Sequence, residues 1–319
     1  MWSAARGLER LAHTQRFAMK RSIPLLLLLL LPMCAQQTTT PATTTELHAD
    51  HAVTSAPPAA STANWAKEAV DRSPRHREWV NVKAGDRTVS TFVVYPEVKG
   101  KATAVVVIHE IFGMSDWVQM EADQLAAAGY IAIAPDLLSG MGSKGGGTAD
   151  FADNNAIGKA IRDLPPDQIT SDLNAVADYV AKLPAANGRI AVAGFCWGGG
   201  QSFRFATNRP SLAAAFVFYG PGPDSADAIA KINAPVYGFY AGNDARIGAT
   251  LPKTQELMKA AGKSYDIVTY EGAGHGFMRA GDAPPPPPDA DDKTKEAYAG
   301  NRKARDAAWV RWKGVLATL

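Results

Sequence analysis

Residues 194–200 read Gly-Phe-Cys-Trp-Gly-Gly-Gly. An apolar run, Arg189 to Phe195, leads into them, and an Ala/Phe-containing segment, Gln201 to Ala206, follows. The pattern is strand, sharp turn, helix, and G-x-C-x-G at such a junction is the cysteine form of a nucleophile elbow. The turn holds the thiol of Cys196 in a strained conformation at the top of a sheet. Gly194 and Gly198 are sterically demanded because strand and helix cross closely there. The first N–H groups of the helix point toward the place where an oxyanion would form. The competing inert reading makes Cys196 a small buried hydrophobe.

Acyl transfer at such a turn needs a carboxylate and then a histidine downstream, each just past a strand end on one edge of the sheet. The apolar run Val236–Ala241 is followed by Gly242-Asn243-Asp244, and Tyr265–Tyr270 by Glu271-Gly272-Ala273-Gly274-His275. His275 is the only histidine after Cys196. Cys196 would attack a carbonyl as thiolate, and His275 would accept its proton and later activate water. Asp244 would orient the imidazole and stabilise its charged form. Taken singly, Asp244 also reads as a turn cap and His275 as a loop residue; order and elbow together point to a triad.

A second arm follows the run Ala104–His109, where the chain reads His109-Glu110-Ile111-Phe112-Gly113. This loop is placed to supply one backbone N–H to an oxyanion hole, with the Trp197 N–H as the other. Glu110 would approach the elbow, where a carboxylate raises a thiol's pKa and holds it protonated until substrate arrives. His109 precedes the nucleophile and reads as a packing residue at a strand end rather than a catalytic base.

These positions need a sheet to hold them. A hairpin is expected over Glu78–Lys83 and Arg87–Tyr95, turning at Ala84-Gly85-Asp86. Further strands are Ala104–His109, Tyr130–Ala134, Arg189–Phe195, Ala213–Tyr219, Val236–Ala241 and Tyr265–Tyr270. Helical segments between them are Val118–Ala128, Ser171–Ala181, Gln201–Ala206 and Pro252–Ala261, with a last one near Glu296–Leu319. Near-continuous Val/Ile/Ala strands alternating with helices indicate an α/β domain, mostly parallel, with helices on both faces of the sheet. Ser139–Thr148 is glycine-dense and expected to be mobile, either a lid or pocket rim or a plain surface loop; it lacks the Gly-Lys-Ser/Thr ending of a phosphate loop. Pro284–Pro288 is a stiff spacer before the terminal helix.

The chain has 319 residues, 46% of them apolar, and a net charge of +2. Residues 1–34 hold five Lys/Arg and one Glu, leaving 28 Lys/Arg against 30 Asp/Glu in the remainder. That balance gives no footprint for nucleic acid or an anionic membrane surface. The two cysteines, Cys34 and Cys196, leave the mature domain one thiol, and no Cys/His cluster has metal-ligand spacing. Ile23-Pro24 and seven leucines, Leu25–Leu31, after Arg16, Lys20 and Arg21, form an export signal too short to span a bilayer. Cleavage after Ala35, lipidation of Cys34 and an uncleaved anchor are the three outcomes for this leader, residues 1–35. Residues 36–63, rich in Thr, Ala and Pro, read as a flexible tether, and 64–319 as the folded domain. The expectation is an exported monomer, touching membrane only through its leader.

Taken together the motifs resemble the dienelactone hydrolase (carboxymethylenebutenolidase) family of the α/β-hydrolase fold. The residues carrying the likeness are 109–113, Ala134-Pro135-Asp136-Leu137, 194–199, Phe218-Tyr219-Gly220, Gly242-Asn243-Asp244 and Gly274-His275-Gly276-Phe277. It covers roughly residues 77–319. The resemblance implies a cofactor-free hydrolase of small esters or lactones on a Cys196/Asp244/His275 triad. It implies Ile111 and Trp197 N–H groups as the oxyanion hole, and Glu110 as the group that switches the thiol on. Arg279, four residues after the histidine, matches one carboxylate-binding arginine, and Tyr219 is a second substrate contact. The family's other arginine has no match before Arg162, which puts dienelactone itself in doubt and leaves carboxylate-bearing esters or lactones as the class. A thioesterase or general carboxylesterase on the same triad, and a non-catalytic envelope protein retaining the fold, are the alternatives.

Overall fold

The computed structural model describes residues 65–281 and 283–319; the leader and the whole of the tether expected above lie outside them. Helix α1 (Trp65–Asp71) is followed by the hairpin β1 (Arg77–Ala84) and β2 (Arg87–Val94), which pair antiparallel. Next come β3 (Ala102–Ile108), α2 (Asp116–Ala127), β4 (Ile131–Pro135), α3 (Asn154–Arg162) and α4 (Pro166–Ala181). Strand β5 (Ala186–Phe195) runs directly into α5 (Trp197–Asn208), then β6 (Ala214–Phe218), α6 (Ala226–Ala230) and β7 (Val236–Ala241). The chain ends with α7 (Ala245–Gly248), α8 (Leu251–Ala260), β8 (Tyr265–Tyr270) and α9 (Asp292–Leu316).

The strands form one sheet in the order β1-β2-β4-β3-β5-β6-β7-β8. Pairing from β4 through β8 is parallel, and β2 joins β4 antiparallel. Parallel strands need both faces covered, and β3 is buried at every position. Alternation divides its side chains between two cores. Ala104, Val106 and Ile108 join Ile157 and Ile161 of α3, Leu173 and Val176 of α4 and Met258 of α8 on one face. Val105 and Val107 join Val118 and Leu125 of α2 and Ala308 and Trp312 of α9 on the other. Trp312 is fully buried and packs on Phe195, Phe216 and Phe218, at 4.8 Å from the last ring. The α/β-hydrolase fold expected from the sequence is the fold observed.

The differences are at helix starts and in four helices for which the sequence reading has no counterpart, α1, α3, α6 and α7. α5 begins at Trp197 rather than Gln201, so three glycines are helical despite their low propensity. α4 begins at Pro166 rather than near Ser171, since proline at the first turn is pre-organised for a helix. α3 was not anticipated, although Asp153 caps it by accepting the Ala156 N–H at 2.8 Å and Ile157 and Ile161 share its buried side. The glycine-dense loop, expected to be mobile, is tied down by hydrogen bonds at its second half. Gly146 N–H donates to Asp150, Thr148 N–H donates to Asp136 at 2.7 Å, and Thr148 itself is buried. Among the described residues no helix is long and apolar enough to cross a membrane.

Candidate active site

Cys196 stands between β5 and α5 with φ 56 and ψ −117, one of two non-glycine residues with positive φ among the described residues. Such a conformation costs on the order of 1–3 kcal/mol and persists only where the surroundings impose it. The surroundings here are close backbone crossings. A Cβ on Gly194 would strike the Gly198 carbonyl, and one on Gly198 would strike the carbonyls of Ile108 and His109. A Cβ on Gly199 would meet the Phe218 carbonyl. The Cys196 N–H is tied to Phe218 O at 3.0 Å, which fixes the turn to β6.

Asp244 lies just past β7 and caps α7. Its Oδ1 accepts the Ile247 N–H at 3.2 Å, while Oδ2 accepts from His275 Nδ1 at 2.5 Å. One carboxylate thus does both the capping and the orienting foreseen as alternatives. His275 follows β8 in a loop bent by Gly272 and Gly276, both at φ 77. The loop is zipped to its neighbour by Asn243 N–H to Ala273 O at 2.9 Å. From the other side Asn301 of α9 accepts the Gly274 N–H at 2.7 Å. Burial pulls the His275 pKa down, but the hydrogen bond to Asp244 and the neighbouring Cys196 sulfur outweigh it and push it up to about 9. Burial raises the Asp244 carboxyl, yet the bond to His275 and its charge carry it below the usual value. With Nδ1 committed to Asp244, Nε2 is the nitrogen left to exchange a proton with the thiol.

The β3 arm closes the site. Glu110 is 2% exposed and its Oε2 lies 3.5 Å from Arg279 Nε. The sequence reading sets Glu110 against the thiol; its observed polar partner is Arg279, because that guanidinium reaches back from the 3₁₀ turn Phe277–Ala280. The charge of Glu110 raises the Arg279 pKa further. Arg279 also lies over the Phe112 ring at 5.3 Å, a contact that no motif signals. His109 is fully buried, donates from Nδ1 to the Glu110 carbonyl at 2.8 Å and stacks on Trp197. The N–H groups of Ile111 and Trp197 are spent on no backbone acceptor among the described residues.

Tyr219 is fully buried at φ 40, with its ring 5.1 Å from His275 and 5.3 Å from Phe277. Its hydroxyl has no hydrogen-bond partner among the described residues. Arg162 is exposed at the end of α3, beside Gly158, whose other neighbour is Ile111. Asn301 was missed: an asparagine in a Lys/Arg-rich helix reads as solvated. Gly300 beside it was the available signal, since its Cβ would strike the Gly272 carbonyl. Among the described residues no group of three or more His, Cys, Asp or Glu side chains has metal-site geometry.

Residues 89–319 match the model of the dienelactone hydrolase family. A carboxymethylenebutenolidase-named protein of Methylorubrum extorquens is 31% identical over 209 residues, covering 62% of this chain and 71% of the relative. One from Saccharolobus solfataricus is 29% identical over 261 residues, covering 72% and 93%. A crystal structure described as a dienelactone hydrolase of Klebsiella pneumoniae superposes with a TM-score of 0.63 at 25% identity, over 77% of this chain and 99% of that one. An acylaminoacyl peptidase superposes at 0.52 over 73% of this chain. An elbow, a sheet order and a family model that all agree lead to one conclusion: the chain belongs to the dienelactone hydrolase family of carboxylic ester hydrolases, built on the α/β-hydrolase fold.

Proposed function

We propose that this protein hydrolyses small carboxylate-bearing esters or lactones through a Cys196 nucleophile, a His275 base and an Asp244 orienter. The observation that supports this most is the 2.5 Å bond from His275 to Asp244 beside a cysteine held at φ 56. The Cys196 thiolate attacks the carbonyl carbon, and the carbonyl electrons move onto oxygen, which the Ile111 and Trp197 N–H groups receive. The protonated His275 then gives its Nε2 proton to the departing alkoxide as the C–O bond breaks. In a lactone that hydroxyl stays attached to the acyl chain. Water, deprotonated by His275, attacks the thioester, and collapse of the second tetrahedral species expels the Cys196 thiolate.

Arg279 receives the substrate carboxylate. An anion there competes with Glu110 for the guanidinium and frees the Glu110 carboxylate to draw on the thiol proton. Activation is thereby tied to binding of a charged substrate. The leader places this chemistry outside the cytoplasm, and no cofactor takes part.

The test is turnover of a short aryl ester by wild type and by Cys196→Ala. The variant is expected to lose at least about 10³-fold in kcat. Equal rates would sink the cysteine-hydrolase reading.

A further inference from the structure

We infer that His109 is a positioning residue that aims both oxyanion donors, one through a hydrogen bond and the other through stacking. The inference rests on the hydrolase reading above. The Glu110 carbonyl and the Ile111 N–H belong to one peptide unit. A trans peptide is planar, with its C=O and N–H pointing in opposite directions. His109 Nδ1–H donates to the Glu110 carbonyl at 2.8 Å, and Gly113 N–H donates to the same oxygen at 3.1 Å. Holding that oxygen inward turns the Ile111 N–H outward. The same imidazole stacks on the Trp197 indole, with ring centroids 5.5 Å apart and an interplanar angle of 15°. Trp197 begins α5 and carries the second donor. One buried ring thus braces the two sides of the hole.

The surroundings keep that ring in the required form. His109 is fully buried and its Nε2 has no partner among the described residues, so the proton sits on Nδ1, where it is used. Burial pulls its pKa down against the opposing charge of Asp136, which keeps the ring neutral. The far end of the loop is clamped separately. Met114 N–H donates to Thr148 Oγ1 at 3.0 Å, and that hydroxyl donates to Asp136 at 2.8 Å. At Glu110 the loop's orientation falls to His109 together with the Gly113 N–H.

The experiment compares His109→Phe, which keeps the stacking ring and loses the donor, with His109→Asn, whose amide N–H reaches nearly the same place. Two rates are measured on each full-length protein: kcat for a short aryl ester, and alkylation of Cys196 by iodoacetamide. Alkylation occurs at a saturated carbon and develops no oxyanion, so it reads the thiol and His275 alone. His109→Phe is expected to lower kcat about 10–100-fold, a fraction of the loss from deleting a donor outright. Its alkylation rate stays within about twofold of wild type, and His109→Asn recovers most of the turnover. Wild-type turnover in His109→Phe overturns the inference. So does a parallel fall in both rates, which marks a merely structural residue. If the phenylalanine variant does not fold, His109→Leu against His109→Asn makes the same comparison, and equal kcat in those two overturns it. Failure of the hydrolase reading shows separately, as turnover that survives Cys196→Ala.

Discussion

Arg279 does two things with one side chain. It pairs with Glu110 at 3.5 Å and covers Phe112. A buried carboxylate with a single charged partner is costly to strand, since removing one partner leaves the other uncompensated. Two consequences of Arg279→Gln follow and they separate cleanly. Turnover of a carboxylate-bearing aryl ester is expected to lose about 10–100-fold in kcat/KM, the range of one charge-assisted hydrogen bond. Turnover of a neutral ester with the same leaving group changes much less, because only the charged substrate uses the guanidinium. Parallel kinetics on the two esters measure this, and equal losses would assign Arg279 to structure rather than to selectivity. Residue-scale reasoning from sequence singles out Cys196, Asp244, His275 and Arg279 because each closes a strand or follows a motif. It does not foresee the full burial of Tyr219 beside the His275 ring, which depends on how the end of β6 meets the loop after β8.

Elements were legible where burial dictates their pattern. Strand β3 and the second half of β5 are runs of small and β-branched apolar residues, and β6 and β7 add aromatic ones; burial on both faces of a parallel sheet calls for such near-continuous apolar runs. Helix starts were less legible, because caps and close packing set them. The three glycines opening α5 look like a loop, yet the first two let α5 approach other backbone closely: Gly198 against the end of β3, Gly199 under the end of β6. Asn301 was illegible for a similar reason, since its partner is a backbone N–H 27 positions away. A pair of glycine substitutions tests this account of the helices. In Gly198→Ala the new methyl meets two β3 carbonyls, so α5 must shift; the expected cost is about 1–3 kcal/mol, with loss of esterase activity. In Gly314→Ala, within α9, nothing lies within 4 Å of the new methyl, and stability should rise by about 0.5–1 kcal/mol. Urea unfolding of both variants measures it; destabilisation of both would mean that close approach is not what the elbow glycines supply.

Across the domain, many groups titrate, so a pH profile of stability blends them all. Subtracting a variant isolates one. His275 is raised from 6.5 to about 9 in the folded protein. A raised histidine binds its proton more tightly folded than unfolded, so its contribution is complete below about pH 6.5. It disappears as pH climbs through about 9, where the folded ring also loses its proton. Asp244 has the opposite sign: its depressed pKa contributes above the ordinary carboxylate range and is lost as pH falls through the folded value. Both contributions are therefore present together in mildly acidic to neutral solution. His275→Gln removes the ring and leaves every distant group in place. The difference in Tm between wild type and this variant should stay level from about pH 5 to 6.5 and then decline to about pH 9.5. The amount lost is on the order of 2 kcal/mol, after discounting for the ring's partial exposure. Calorimetry on the two proteins across that range measures it. A difference that widened with rising pH would mean that burial, and not the bond to Asp244 and the neighbouring Cys196 sulfur, governs the imidazole, and the charged pairing on which the proposed catalysis depends would be gone.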